Sequence, residues 1–203
     1  MSPPPERGRL LVAAPVLTDP NFFRAVVLLL ACDEDGALGV VLNQPSETPV
    51  AEVVPNWSLR ASPPSVLFVG GPVQPNAAIC VGHRVGEPSR SGPGSLGRSP
   101  EEEGEELCSG YSPLTETLGT LDLQRDPDEI PIELAGLRVF KGYSGWGPGQ
   151  LEEEIEEGAW FVVEGRPEHI LTPDPDGLWQ AVLRQQGGWL AALARHPVDP
   201  SLN

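Results

Sequence analysis

Apolar residues in this chain come in short runs cut by Gly and Pro, not in long helical stripes. The run 10–14 is closed by Pro15, and the longer run 22–31 is partly β-branched. Asp33-Glu34-Asp35-Gly36 punctuates it before a third run at 37–42. Two such runs around an acidic turn ending in Gly predict a β-hairpin. Asn43-Gln44-Pro45 ends its second strand, because proline supplies no ladder donor. Residues 50–54 read as a short helix or turn, 65–69 as a strand entering Gly70-Gly71-Pro72, and 77–81 as another strand.

The pattern then stops. Gly, Ser, Pro and Arg give way to Glu101-Glu102-Glu103-Gly104-Glu105-Glu106, which predicts a long, disordered acidic loop over 86–106. Order resumes at 107–111 and 117–121. A strand at 137–142 enters a glycine loop, Gly142 to Gly149, and Leu151 and Ile155 then share one face of a helix whose glutamates are solvated. Gly158 ends that helix, 159–163 is a strand, and Asp176 opens a helix that stops at Gly187-Gly188. A short helix at 189–194 follows. Hairpins first and helices later predict an α+β fold: one domain over 9–203 behind a disordered leader, 1–8.

Composition and charge narrow the function. The 203 residues include 23 Gly and 24 Pro, as expected of a loop-rich globular protein, and are enough to bury a core without disulfides or metals. No apolar run approaches the ~18 residues of a membrane span, and the start lacks the order of a secretory signal. Three cysteines, Cys32, Cys80 and Cys108, form no CxxC, which fits a reduced cytoplasm. The formal charge is −16 and is unevenly placed: residues 1–100 carry 8 acidic and 7 basic side chains, residues 101–203 carry 21 and 6. Lys141 is the single lysine. Nucleic-acid affinity comes largely from Lys and Arg on phosphates, so direct nucleic-acid binding is not expected, nor is an anionic membrane surface. A basic protein partner, or solubility alone, accounts for the acidity.

Candidate chemistry is sparse. The 142–149 loop matches neither GxGxxG nor GxxxxGK[ST], and Glu152, Glu153 and Glu154 already occupy the positive end of the following helix. The glycines therefore read first as a tight strand-to-helix turn under Tyr143 and Trp146, where Trp146 and Gly145 both serve the turn. Gly-x-Ser-x-Gly is absent. Cys80 and His83 fall on opposite faces of a strand, and His83, His169 and His196 lack a metal-ligand spacing. No catalytic residue, metal ligand or cofactor is assigned. Asn43, at the end of a hairpin strand, is suited to satisfying loop amides.

Five segments taken in order carry a family resemblance: Arg9-Leu-Leu-Val-Ala-Ala-Pro15; Asp19-Pro-Asn-Phe22; the hairpin ending Gly39-Val-Val-Leu-Asn43-Gln-Pro45; Gly70-Gly-Pro-Val73; and Gly142-Tyr-Ser-Gly-Trp146-Gly-Pro-Gly149-Gln150-Leu-Glu152. The chain resembles the YqgE/AlgH family of bacterial proteins over nearly its whole length outside 1–8 and 86–106. The resemblance implies a compact single α+β domain with a mixed, mostly antiparallel sheet and flanking helices. It brings no defined biochemical activity; one branch carries the label of transcriptional regulator on grounds of genetic context. Relatives often place His at the position of Cys32, so a paired-histidine site is not carried over. The resulting expectation is a cytoplasmic, non-enzymatic regulatory protein. It would bind a protein or small ligand through Asn43, Gly70, Gly71, Pro72, Tyr143, Trp146, Gly147, Gly149 and Gln150. The alternative is an enzyme of unassigned chemistry with a pocket formed by the same glycine-rich loops.

Overall fold

Alternation along the first strand sets the architecture. In β1 (Arg9–Ala13), Leu10 and Val12 enter one hydrophobic core while Leu11 and Ala13 enter another on the opposite face. A strand buried on both faces needs cover on both sides, and the rest of the chain supplies it. The computed structural model describes residues 3–85 and 110–195; the acidic loop expected at 86–106 and Cys108 lie outside the described residues.

β2 (Val26–Asp33) and β3 (Gly36–Val41) form the expected hairpin, with Asp35 N bonded to Asp33 Oδ1 in the turn. The run 22–25 is not strand: Phe22 and Phe23 turn back on the carbonyl of Asp19. The expected leader gives way to structure by Gly8, which donates to the Leu29 carbonyl. After the hairpin come β4 (Pro45–Pro49), α1 (Val50–Val53), a 3-10 turn (Pro55–Arg60) and β5 (Val66–Val69). Pro45 therefore bends the chain into a short new strand paired with β5. β6 (Val73–Arg84) is longer than the apolar run that signals it, with a register shift between Val73 and Ala78. β7 (Tyr111–Pro113) and β8 (Leu118–Leu121) follow.

The organising strand is β9 (Leu134–Trp146). It pairs with β6 along one edge; on the other it meets β5, in parallel, at Phe140–Lys141 and then β3 at Ser144–Trp146. The sheet order is β10-β1-β2-β3-β9-β6-β8-β7, with β4-β5 branching beside β9. This corrects the expected glycine loop at 142–149: residues 142–146 are strand, and only 147–149 turn. Glycine does not break a strand whose neighbours on both edges supply its hydrogen bonds. α2 (Gln150–Glu156) and β10 (Trp160–Glu164) come next, then α3 (Pro167–Ile170), α4 (Leu178–Gln186) and α5 (Gly188–Leu193). Gly177, not Asp176, is the N-cap of α4, and Asp174 Oδ1 accepts from the Gly177 amide.

Leu178, Trp179, Val182 and Leu183 of α4 close the core containing Leu10, Val40, Phe68 and Phe140. Leu151 of α2 joins Trp146 and Trp160 over the opposite face. Val50 and Trp57 cover a third core built on Cys80, Leu137 and Val139. The fold is thus a single compact α+β domain with a mixed, mostly antiparallel sheet and flanking helices. Among the described residues no helix is long and apolar enough to cross a membrane.

Candidate functional site

The residues singled out in the sequence fall in two neighbourhoods. The first is a close crossing of main chains. Gly70 N donates to the Lys141 carbonyl at 2.8 Å, while the Gly70 carbonyl accepts from Val41 N at 3.0 Å and Ser144 Oγ at 3.1 Å. A Cβ on Gly70 would lie 2.3 Å from the Gly142 carbonyl oxygen, and one on Gly71 2.4 Å from Tyr143 backbone atoms. The glycines at 70 and 71 therefore let the connection from β5 to β6 cross β9 at close range, with Pro72 exposed beyond them. Tyr143 packs half-buried against the α4 side of the sheet.

Asn43 sits beside this crossing, but its amide is committed elsewhere. Oδ1 accepts from Val26 N at 2.9 Å and Nδ2 donates to the Arg24 carbonyl at 2.9 Å. Arg24 has φ +54°, and its guanidinium lies 4.7 Å from the Trp179 ring centroid. Asn43 thus clamps a strained turn.

The second neighbourhood lies on the other face of the sheet. Trp146 is three residues from Tyr143 on a strand, so their side chains point in opposite directions. Trp146, Phe22 and Trp160 pack ring on ring, with centroids 5.5–6.1 Å apart. Glu154 ties them together: its Oε2 accepts from Trp146 Nε1 at 2.9 Å and Trp160 Nε1 at 2.8 Å, and its Oε1 accepts from Gln150 Nε2 at 2.9 Å. Gln150 Oε1 in turn accepts the Gly147 amide at 3.0 Å. Gly149, at φ +76°, caps α2. Every named polar group of the turn is joined to another part of the same turn.

Outside it, exposed carboxylates crowd together. Asp33, Glu34 and Asp35 at the β2–β3 turn, Glu152, Glu153 and Glu156 on α2 and Glu157 at its C-cap are all exposed. Cys32 lies among them. Its thiol pKa is raised first by burial and then by the charges of Glu152, Asp33 and Glu6. Among the described residues none of these carboxylates has a basic partner within 4.0 Å. Burial alone pushes the Cys80 thiol well up, and Cys80 and His83 lie on an unshifted register with β8, hence on opposite faces. Among the described residues no three His, Cys, Asp or Glu side chains form a metal site.

Two residues escaped the sequence reading. Glu154 looked like one of five solvated glutamates; its i,i+4 spacing to Gln150 was the available signal. Arg138 lies within the strand expected at 137–142, and alternation puts it on the same face as Phe140, where it is 2% exposed.

These features define a single compact α+β domain with a mixed, mostly antiparallel sheet and flanking helices. An AlgH-like family model matches residues 10–191. A UPF0301 protein of Streptomyces coelicolor is 46% identical over 196 residues, 97% of this chain and 94% of the relative. A UPF0301 protein of Thermobifida fusca is 42% identical over 197 residues, with the same coverages of 97% and 94%. Among solved structures, protein DIP2367 of Corynebacterium diphtheriae superposes with a TM-score of 0.81 at 29% identity, covering 96% of this chain and 94% of that one. The AlgH protein of Pseudomonas aeruginosa gives a TM-score of 0.61 at 26% identity, covering 98% of each chain. The chain belongs to the AlgH-like family.

Proposed function

We propose that this is a non-enzymatic regulatory protein of the cytoplasm that works by docking a basic protein segment on the acidic face formed by the β2–β3 turn and α2. One observation carries the reading: Asp33, Glu34 and Asp35 on the β2–β3 turn and Glu152, Glu153 and Glu156 on α2 are all exposed, and the charges of Glu152, Asp33 and Glu6 all bear on the Cys32 thiol. Carboxylates gathered without cations repel one another, and a cationic partner relieves that repulsion while it accelerates encounter. The Gly147–Gln150–Glu154 network supports the same reading, because it fixes α2 rigidly to the sheet and so presents its glutamates in a fixed array. The raised thiol pKa values of Cys32 and Cys80 disfavour nucleophilic use of either.

Capture from cell extract on wild-type protein, alongside a Glu152→Lys/Glu153→Lys/Glu156→Lys variant, tests this. A basic protein held by the wild type, released by salt and missing from the variant supports it. Equal capture by both rejects it.

A further inference from the structure

Arg138 occupies the middle of β9, opposite Val81 of β6, and is 2% exposed. A guanidinium has five N–H donors. Nη2 donates to the Pro63 carbonyl at 2.9 Å and the Thr172 carbonyl at 2.8 Å. Nε and Nη1 are buried with no acceptor. Among the described residues no carboxylate lies within 4.0 Å of the group, and its cationic centre rests 4.2 Å from the Phe68 ring centroid. Burial draws its pKa down to about 10, so it is protonated at neutral pH. The result is a buried positive charge with a π-face beneath it and no anion beside it, an arrangement that costs free energy unless a counter-charge arrives.

The cover over this charge is made of loops. Residues 61–65 and 171–176 meet above Gly136 and Arg138; Ser62 Oγ and Leu171 Cδ1 fill the space that a side chain at 136 would take. Pro63, Ser65, Pro173 and Asp174 on these loops are exposed. The second loop follows directly from α3, where His169 is buried with Nε2 bonded to Gln185 Oε1 at 2.6 Å and Nδ1 without a partner. The 61–65 segment is also held to β9 by the Ser62 amide on the Leu137 carbonyl at 2.9 Å, whereas the 171–176 loop meets the sheet through the guanidinium at the Thr172 carbonyl, so it is the second loop that can part from the first without disrupting a strand pair.

We propose that the Nη1 side of Arg138 is a binding site for a small oxyanion, the carboxylate or phosphate group of a ligand admitted between the 61–65 and 171–176 loops. Guanidinium groups pair with both anions through charge-assisted hydrogen bonds, and the Phe68 face holds the cation in place from below. This site is separate from the acidic face, which repels anions, and it stands or falls independently of protein docking.

The test uses the full chain labelled with 15N and follows the Nε–H signal of Arg138 during titration with sodium phosphate and, separately, sodium acetate. Each is compared with sodium chloride at matched ionic strength. A saturable shift with a Kd in the millimolar range or tighter, seen with phosphate or acetate and not with chloride, supports the site. The anion that saturates identifies the ligand class. Arg138→Met should abolish the accompanying rise in Tm; if that variant does not fold, the wild-type titration still decides. A linear drift identical to that in chloride overturns the proposal, as does a high-resolution crystal grown in phosphate with only water at Nη1.

Discussion

Trp160 donates its indole N–H to Oε2 of Glu154 at 2.8 Å, and that same oxygen holds Trp146 at 2.9 Å. One carboxylate on α2 thereby satisfies two indoles buried to 2% and 6% exposure, one on β10 and one on β9. Helix, edge strand and central strand are locked by a single acceptor. Glu154→Ala should cost about 2–6 kcal/mol, because the two buried donors left without acceptors lose roughly 1–3 kcal/mol each. Glu154→Gln, which keeps a carbonyl oxygen, should cost less than half as much. Urea denaturation of both variants checks the ordering.

The glycine requirement lies at the strand crossing and not throughout the glycine-rich segment. Gly70→Ala and Gly142→Ala each drive a Cβ into backbone, 2.3 Å and 2.6 Å from the nearest oxygen, and Gly142 also has φ +67°. Losses of about 2 kcal/mol or more are expected at both. Gly145→Ala and Gly147→Ala meet nothing closer than 3.7 Å and 3.9 Å and should change stability by less than about 1 kcal/mol. The expectation that Gly145 serves the turn is thus replaced: it is a strand residue opposite Leu38. Thermal melts of the four variants separate the two groups.

The strands with a strong local signal were legible in the sequence. β1, the β2–β3 hairpin, β5 and α2 all fall within a few residues of their apolar runs, because each buries its own pattern. What escaped was set by partners distant in sequence. β9 runs on through Gly142 and Gly145 because β6 and β3 pair with it there, and β6 begins at exposed residues for the same reason. Tyr143 and Trp146 read as neighbours over a loop; once 142–146 is strand, they are forced to opposite faces. Arg138 gave no hint, since a lone arginine between apolar residues looks the same whether it reaches solvent or turns inward.

Asn43 should behave as a clamp. Asn43→Ala removes the partners of Val26 N and the Arg24 carbonyl and frees a residue held at φ +54°. A loss of about 1–3 kcal/mol is expected. Asn43→Asp retains the acceptor for Val26 N and sets a carboxylate against the Arg24 carbonyl, so it should not restore full stability. Denaturation midpoints for the pair provide the check.

Cys32 should alkylate slowly at pH 8 and faster as pH rises, since burial and then Glu152, Asp33 and Glu6 hold its pKa above the ordinary thiol value and the thiolate is the reactive form. Glu152→Gln removes one of those charges, lowers the pKa and should raise the rate at pH 8 by about twofold. Peptide mapping after timed iodoacetamide treatment reads Cys32 separately from the other thiols. An unchanged rate would mean that Glu152 does not reach the thiol.

The acidic face is the centre of the functional account, and quantitative affinity capture tests it most directly. Wild type and the Glu152→Lys/Glu153→Lys/Glu156→Lys variant are compared at low and at physiological salt. The account predicts a basic protein retained by the wild type, weakened by salt and lost from the charge-reversed variant. Retention of the same proteins by both, insensitive to salt, or no basic protein on either, would contradict it.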